Sequence, residues 1–151
     1  EVRKAAEVLR LDYGISVDVW SVTSFNGLRK EALAVTRENM LNPSKKAKIP
    51  YVTEMLAKQK GPIVSATDHM KAHSDQVREF VPETFRVLGT DGFGRSDSRK
   101  ELRYFFEVNA NYIVFVTLKA LVDDGLLDLK IIKSAIKKLN IDVNKSNPMY
   151  T

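Results

Sequence analysis

The chain contains no cysteine, which excludes disulfides, thiolate nucleophiles and every zinc site built on sulfur. The same absence is compatible with a reducing compartment, and a cytoplasmic location is the expectation. Histidine occurs only twice, at His69 and His73. No serine stands in a G-x-S-x-G elbow, and neither an H-E-x-x-H pair nor an acidic metal cluster is present. No apolar run approaches the ~18 residues that a membrane span needs, so no membrane partner is expected. The N-terminus is charged and amphipathic and does not read as a signal peptide.

What is present fits one α/β domain of 151 residues and 17.1 kDa. A compact globule of this mass exposes roughly 7,800 Å². The net charge is +5, with lysines gathered at Lys45, Lys46 and Lys48 and along Lys130, Lys133, Lys137 and Lys138. A nucleic-acid surface would set such charges beside exposed aromatics or a recognition helix. Here the last helix keeps its aliphatic residues on one face and its lysines elsewhere. The reading is a solvated face and no nucleic-acid partner.

Val2, Ala5, Ala6 and Leu9 recur at helical spacing, and Gly14 supplies a stop. Residues 15–22 alternate like a strand, with Ile15, Val17 and Val19 on one face and Trp20 and Val22 on the other. Phe25 to about Asn39 reads as a helix. A short helix follows Pro50. Ile63 to Thr67 and Phe85 to Leu88 read as strands, separated by a helix that Asp68 would cap and that would run to Val81. Ser98 with Glu101 forms a capping box for a helix bearing Leu102, Phe105 and Phe106. One more helix carries Ile113, Val116, Thr117 and Ala120 and ends at Gly125. The last is capped by Asp128 and buries Ile132, Ala135, Ile136 and Leu139. Short apolar strands alternating with helices imply a mostly parallel open sheet with helices on both faces, in three layers. A leading helix without its strand implies a sheet lacking its first strand, and hence an N-terminally truncated fragment of a larger protein.

Two places carry candidate chemistry. His69 and His73, four apart on the expected helix, share a face, and Asp68 could add an oxygen to a metal site. Met70, Val77, Phe80 and Val81 define an apolar face there, so a capping Asp68 and a half-core His73 are the expectation, with no metal site. The loop from Gly89 to Asp97 follows a strand and precedes a helix, where open α/β sheets place ligands. Its Thr90, Asp91, Gly92, Phe93, Gly94, Arg95 and Asp97 form either an interface element or a concavity for an anion. Gly92 and Gly94 with Arg95 match neither the dinucleotide fingerprint nor the P-loop. Packing of Phe93 and Arg95 against a neighbour is therefore expected ahead of ligand binding. Asp91 and Asp97 flank Arg95 as carboxylate partners.

Asp18-Val-Trp-Ser-Val-Thr-Ser-Phe-Asn26, Pro50-Tyr51-Val52, Thr67-Asp68 and Arg86-Val-Leu-Gly-Thr-Asp-Gly-Phe-Gly-Arg-Ser-Asp97 occur in that order. Phe105-Phe106-Glu107-Val108 and Asn147-Pro148-Met149-Tyr150 follow. This series, covering nearly the whole chain, resembles the C-terminal domain of the homodimeric, bacterial-type pyruvate dehydrogenase decarboxylating components, within the transketolase-like, thiamine diphosphate-dependent enzymes. The resemblance implies a parent enzyme that decarboxylates pyruvate on thiamine diphosphate and magnesium and acetylates the lipoyl group of its complex's acetyltransferase. It further implies that the cofactor lies between other domains, so that this chain holds no cofactor or catalytic group and is inactive alone. Its partners would be those domains, the homodimer partner and the acetyltransferase. His69 and His73 depart from the pattern expected of the family. The alternative is a regulatory module that binds phosphate or a nucleotide at the Gly89–Asp97 loop.

Overall fold

Most helices start where the sequence offers an acceptor for an orphan N–H group. In the computed structural model, which describes all 151 residues, α1 spans Val2–Tyr13, α2 Phe25–Leu41 and α3 Tyr51–Leu56. Strand β1 is Ile63–Ala66, α4 Lys71–Asp75 and β2 Phe85–Leu88. They are followed by α5 Arg99–Phe105, α6 Ala110–Asp123 and α7 Lys130–Lys138. Ser24 accepts from the Gly27 N–H at the start of α2, Ser98 from Glu101 at α5, and Asn109 from Tyr112 at α6. Asp128 accepts from the Lys130 N–H at 2.7 Å and so serves the start of α7. Gly14 ends α1 in the left-handed region at φ 67°, a conformation open to glycine at little cost.

The two strands pair in parallel, from Ile63 opposite Phe85 to Ala66 opposite Leu88. Alternation then assigns the layers. Val64, Ala66 and Leu88 face the main core, which α6 fills with Val114 and Leu118 and to which α1 adds Ala5 and Leu9. Ile132, Ala135 and Leu139 close it from the α7 side. Phe85 faces the opposite layer, where the Arg78 guanidinium lies 5.3 Å from its ring centroid. Beyond it a second cluster joins Ala32, Val52 and Phe80. Helices thus cover both faces of a small parallel open sheet, as the alternation of strands and helices implies.

Two expectations are corrected. Residues 15–22 form no strand. Their alternation is intact, but no neighbouring strand pairs with them, and Val17, Val19, Trp20 and Val22 are all exposed. Asp68 does not cap a helix running to Val81. Thr67 Oγ1 instead accepts from the His69 N–H, the helix begins only at Lys71, and a separate 3₁₀ turn forms at Arg78–Phe80.

By length and mean hydropathy the stretch Arg99–Asp123 would suffice to cross a membrane. Here it is two helices, broken where Glu107 takes φ 61°, and the second is the core of the fold. The accessible surface is 10119 Å², well above the roughly 7,800 Å² of a compact globule of this mass. The excess means that surfaces which would be covered in a closed fold lie open.

Candidate functional site: the glycine loop

The loop after β2 is anchored at both ends and free in its middle. A Cβ on Gly89 would stand 2.7 Å from the His69 carbonyl oxygen and 2.8 Å from the Lys71 nitrogen. Only glycine lets the end of β2 pass so close to the segment entering α4. Thr90 continues that seam, donating its N–H to the His69 carbonyl at 2.9 Å and its hydroxyl to the Asp68 carbonyl at 3.0 Å. Asp91 accepts from the Lys71 N–H at 2.8 Å.

Gly92 turns the chain with φ 109°, and a Cβ there would lie 2.2 Å from the Pro148 carbonyl oxygen. The C-terminal 3₁₀ turn, Pro148–Tyr150, therefore lies directly against the loop. Beyond that contact Phe93 is 77% exposed and Tyr150 79% exposed. A shallow cleft of about 410 Å³ separates Phe93–Asp97 from Glu101, Leu102 and Phe105.

Arg95 does not pair with either flanking carboxylate. Its guanidinium lies over the Phe105 ring, 4.4 Å from the centroid. Asp91 is engaged by Lys71, and Asp97 accepts from the Ser98 N–H at 2.6 Å. At the start of α5, the Ser98 and Glu101 N–H groups are thus served by the chain's own side-chain oxygens.

His69 and His73 do come together, with ring centroids 4.6 Å apart, although His69 precedes the helix rather than lying on it. Phe25 meets the His73 ring edge-on at 5.7 Å. The Asp68 carboxylate turns elsewhere, toward Arg103 at 3.9 Å. The two imidazoles form an aromatic contact without a third donor beside them, and no cluster of three metal-ligating side chains exists in the structure.

Sequence reading missed Lys145. Its ammonium is enclosed by the rings of Tyr104, Phe105 and Tyr112 at 5.6, 5.5 and 5.5 Å. It donates to the Phe105 carbonyl at 2.6 Å and to Glu107 Oε1 at 3.0 Å, and its side chain is 11% exposed. Burial pushes the neighbouring Tyr112 hydroxyl up to about 12, with Glu107, Tyr104 and Asp142 adding to the effect. That hydroxyl has no hydrogen-bond partner. Lysine and aromatic partners so far apart in sequence, about 40 residues for Phe105, leave no periodic signal.

Residues 1–109 match the model of the transketolase-like TK C-terminal domain. The chain is 51% identical over 150 residues to a pyruvate dehydrogenase E1 component of Pseudomonas aeruginosa, covering 99% of this chain and 17% of that protein. It is 48% identical over 148 residues to the protein of that name from Escherichia coli, covering 97% and 16%. With that from Haemophilus influenzae the identity is 45% over 150 residues, covering 99% and 17%. The chain spans about a sixth of the length of the curated relatives it matches. With most of its length matched and its parallel sheet flanked by helices, the chain belongs to the family of transketolase-like C-terminal domains.

Proposed function

We propose that the chain serves as a non-catalytic docking domain of a pyruvate dehydrogenase E1 enzyme. Its role there is to pack against the enzyme's other domains and its homodimer partner through the Gly89–Asp97 loop. The excess open surface carries this reading. Roughly 2,300 Å² beyond the compact expectation exceeds the ~800 Å² per partner of a standard interface and falls in the range of large obligate ones, and Phe93 stands out from the loop as an apolar anchor. The parent enzyme, working in the cytoplasm, would decarboxylate pyruvate oxidatively and pass the acetyl group to the lipoyl group of a partner acetyltransferase.

Thiamine diphosphate, when bound with magnesium, supplies the carbanion stabilisation such a reaction needs. The residues here do not fit that group. A diphosphate-bound magnesium takes carboxylates and further oxygens converging on one point, whereas Asp91 and Asp97 serve backbone N–H groups and no acidic cluster forms. No step of the reaction is assigned to this chain.

The test is Phe93→Asp in an enzyme containing this chain. Assembly measured by sedimentation should weaken, while turnover per assembled enzyme stays unchanged. An intact assembly with abolished turnover would overturn the docking reading and bring the loop to the active site. Calorimetric titration of the chain with thiamine diphosphate and magnesium should show no micromolar binding.

A further inference from the structure

The last twelve residues reach back over the α5–α6 corner as an irregular strap. Three observations connect that strap to the glycine loop. Lys145 is locked in its cage of three rings and two oxygens at that corner, with Glu107, which accepts its ion pair, held at φ 61°. Three residues further on, Pro148 is buried with its carbonyl so close to Gly92 that no side chain fits there. Phe105, finally, is shared, with Lys145 at 5.5 Å and Arg95 at 4.4 Å from its ring centroid.

We infer that Lys145 is a positioning residue that latches the C-terminal strap and, through Pro148 on Gly92, sets the shape of the glycine loop. The ammonium is the right group for this place. It offers three donors, two of which meet oxygens, while the negative faces of the surrounding rings receive the remaining charge. A neutral side chain would keep the packing but leave Glu107 and the Phe105 carbonyl without their donor. On the loop side, residues 92–97 are exposed and none of their N–H groups donates a hydrogen bond. Their order therefore depends on what presses against them. Released from the latch, the turn at Pro148–Tyr150 would leave Gly92 and the loop would lose its support on that side. The latch stands on contacts within the chain and does not require the docking role.

Hydrogen exchange of the full 151-residue chain tests it. In Lys145→Met, the hydrogen-bonded amides of Thr90 on the loop side and of Lys145, Met149 and Tyr150 on the strap should lose protection by about tenfold or more, while those of α6 stay unchanged. Lys145→Arg, which keeps the charge and the ring contacts, should hold both segments near the parent level. Gly92→Ala, which leaves the lock intact, should loosen 147–151 from the other side. Should Lys145→Met loosen the strap yet leave the Thr90 amide protected, the coupling is wrong. Should it leave both protected, packing rather than charge is the lock and the inference fails. If Lys145→Met unfolds the whole chain, removal of residues 147–151 decides. Faster exchange at Thr90 then supports the latch, and unchanged exchange overturns it.

Discussion

The guanidinium of Arg95 stacks on the ring of Phe105, 4.4 Å from its centroid, and not on either aspartate beside it in sequence. The contact is exposed, so it contributes in the range of exposed cation–π pairs, about 0.5–1 kcal/mol. Arg95→Ala should lower the unfolding free energy of the chain by that amount in urea titration. A loss above about 2 kcal/mol would show that the contact is desolvated rather than exposed.

Gly89 marks where the backbone is least tolerant. The atoms that an added Cβ would meet, at 2.7 and 2.8 Å, belong to the backbone of His69 and Lys71. They cannot swing aside as a side-chain tip would. Gly89→Ala should destabilise by about 1–3 kcal/mol, the usual cost of overpacking, and should disturb the Thr90 and Asp91 hydrogen bonds first. Thermal unfolding checks the magnitude, and amide exchange at Lys71 checks the place. An unchanged midpoint would mean that the seam is looser than its distances indicate.

What was legible in the sequence follows the range of the forces involved. Gly14 stopping α1 and Ser98 accepting from the Glu101 N–H are local events, decided within four residues, and both appear as expected, though the return half of the capping box does not form because Asp97 takes the Ser98 N–H. The alternation at 15–22 is also local, but a strand is a pairing, and its partner is not specified by its own pattern. Asp68 failed as a cap because Thr67 and Arg103 engage that segment instead. The glycine loop stood out by its place between a strand and a helix and by Gly92 and Gly94; of its glycines, Gly89 and Gly92 stand where backbones touch, while Gly94 meets nothing within 4 Å. Its supports, Pro148 and Phe105, lie at distances that no window of the sequence spans.

Tyr112 gives a pH signature. Its hydroxyl is buried without a partner, and burial chiefly raises its pKa to about 12 from an ordinary 10.0. A raised pKa favours folding fully below pH 10, because both folded and unfolded chains then hold the proton. Between pH 10 and 12 the unfolded chain releases it first, so stability falls as pH rises, and this contribution is gone above the folded value. Tyr112→Phe should remove that component of the alkaline loss. Near pH 7 it should be neutral or slightly stabilising, since it deletes an unsatisfied polar atom while keeping a ring against Lys145. Chemical denaturation at pH 7, 10 and 11.5 on both chains measures it. A parallel alkaline loss in the two proteins would show that Tyr112 is not the group titrating.

The last prediction concerns the open edge of the sheet. The N–H groups of Ile63 and Thr67 point into β2, donating to Thr84 and Leu88 carbonyls. By alternation the N–H and C=O of Val64 and Ala66 point outward along the free edge of β1. The far edge of β2 is guarded, because Arg78 donates to the Phe85 carbonyl at 2.8 Å; no such guard lies on β1. Between α1 and α2, residues 17–22 hold an alternating apolar pattern that is exposed and unpaired. An unguarded edge and an unpaired strand-like segment are complementary surfaces, and two copies of the chain can satisfy both. The isolated chain should therefore self-associate as its concentration rises. Trp20, the only tryptophan and 47% exposed, reports it directly: its emission should shift to the blue in step with the rise in mass measured by sedimentation. Val17→Lys with Val19→Lys should shift association to higher concentration, since like charges on one face oppose pairing. A mass that stays monomeric across the accessible range, with Trp20 emission unmoved, would show that the edge is protected by other means.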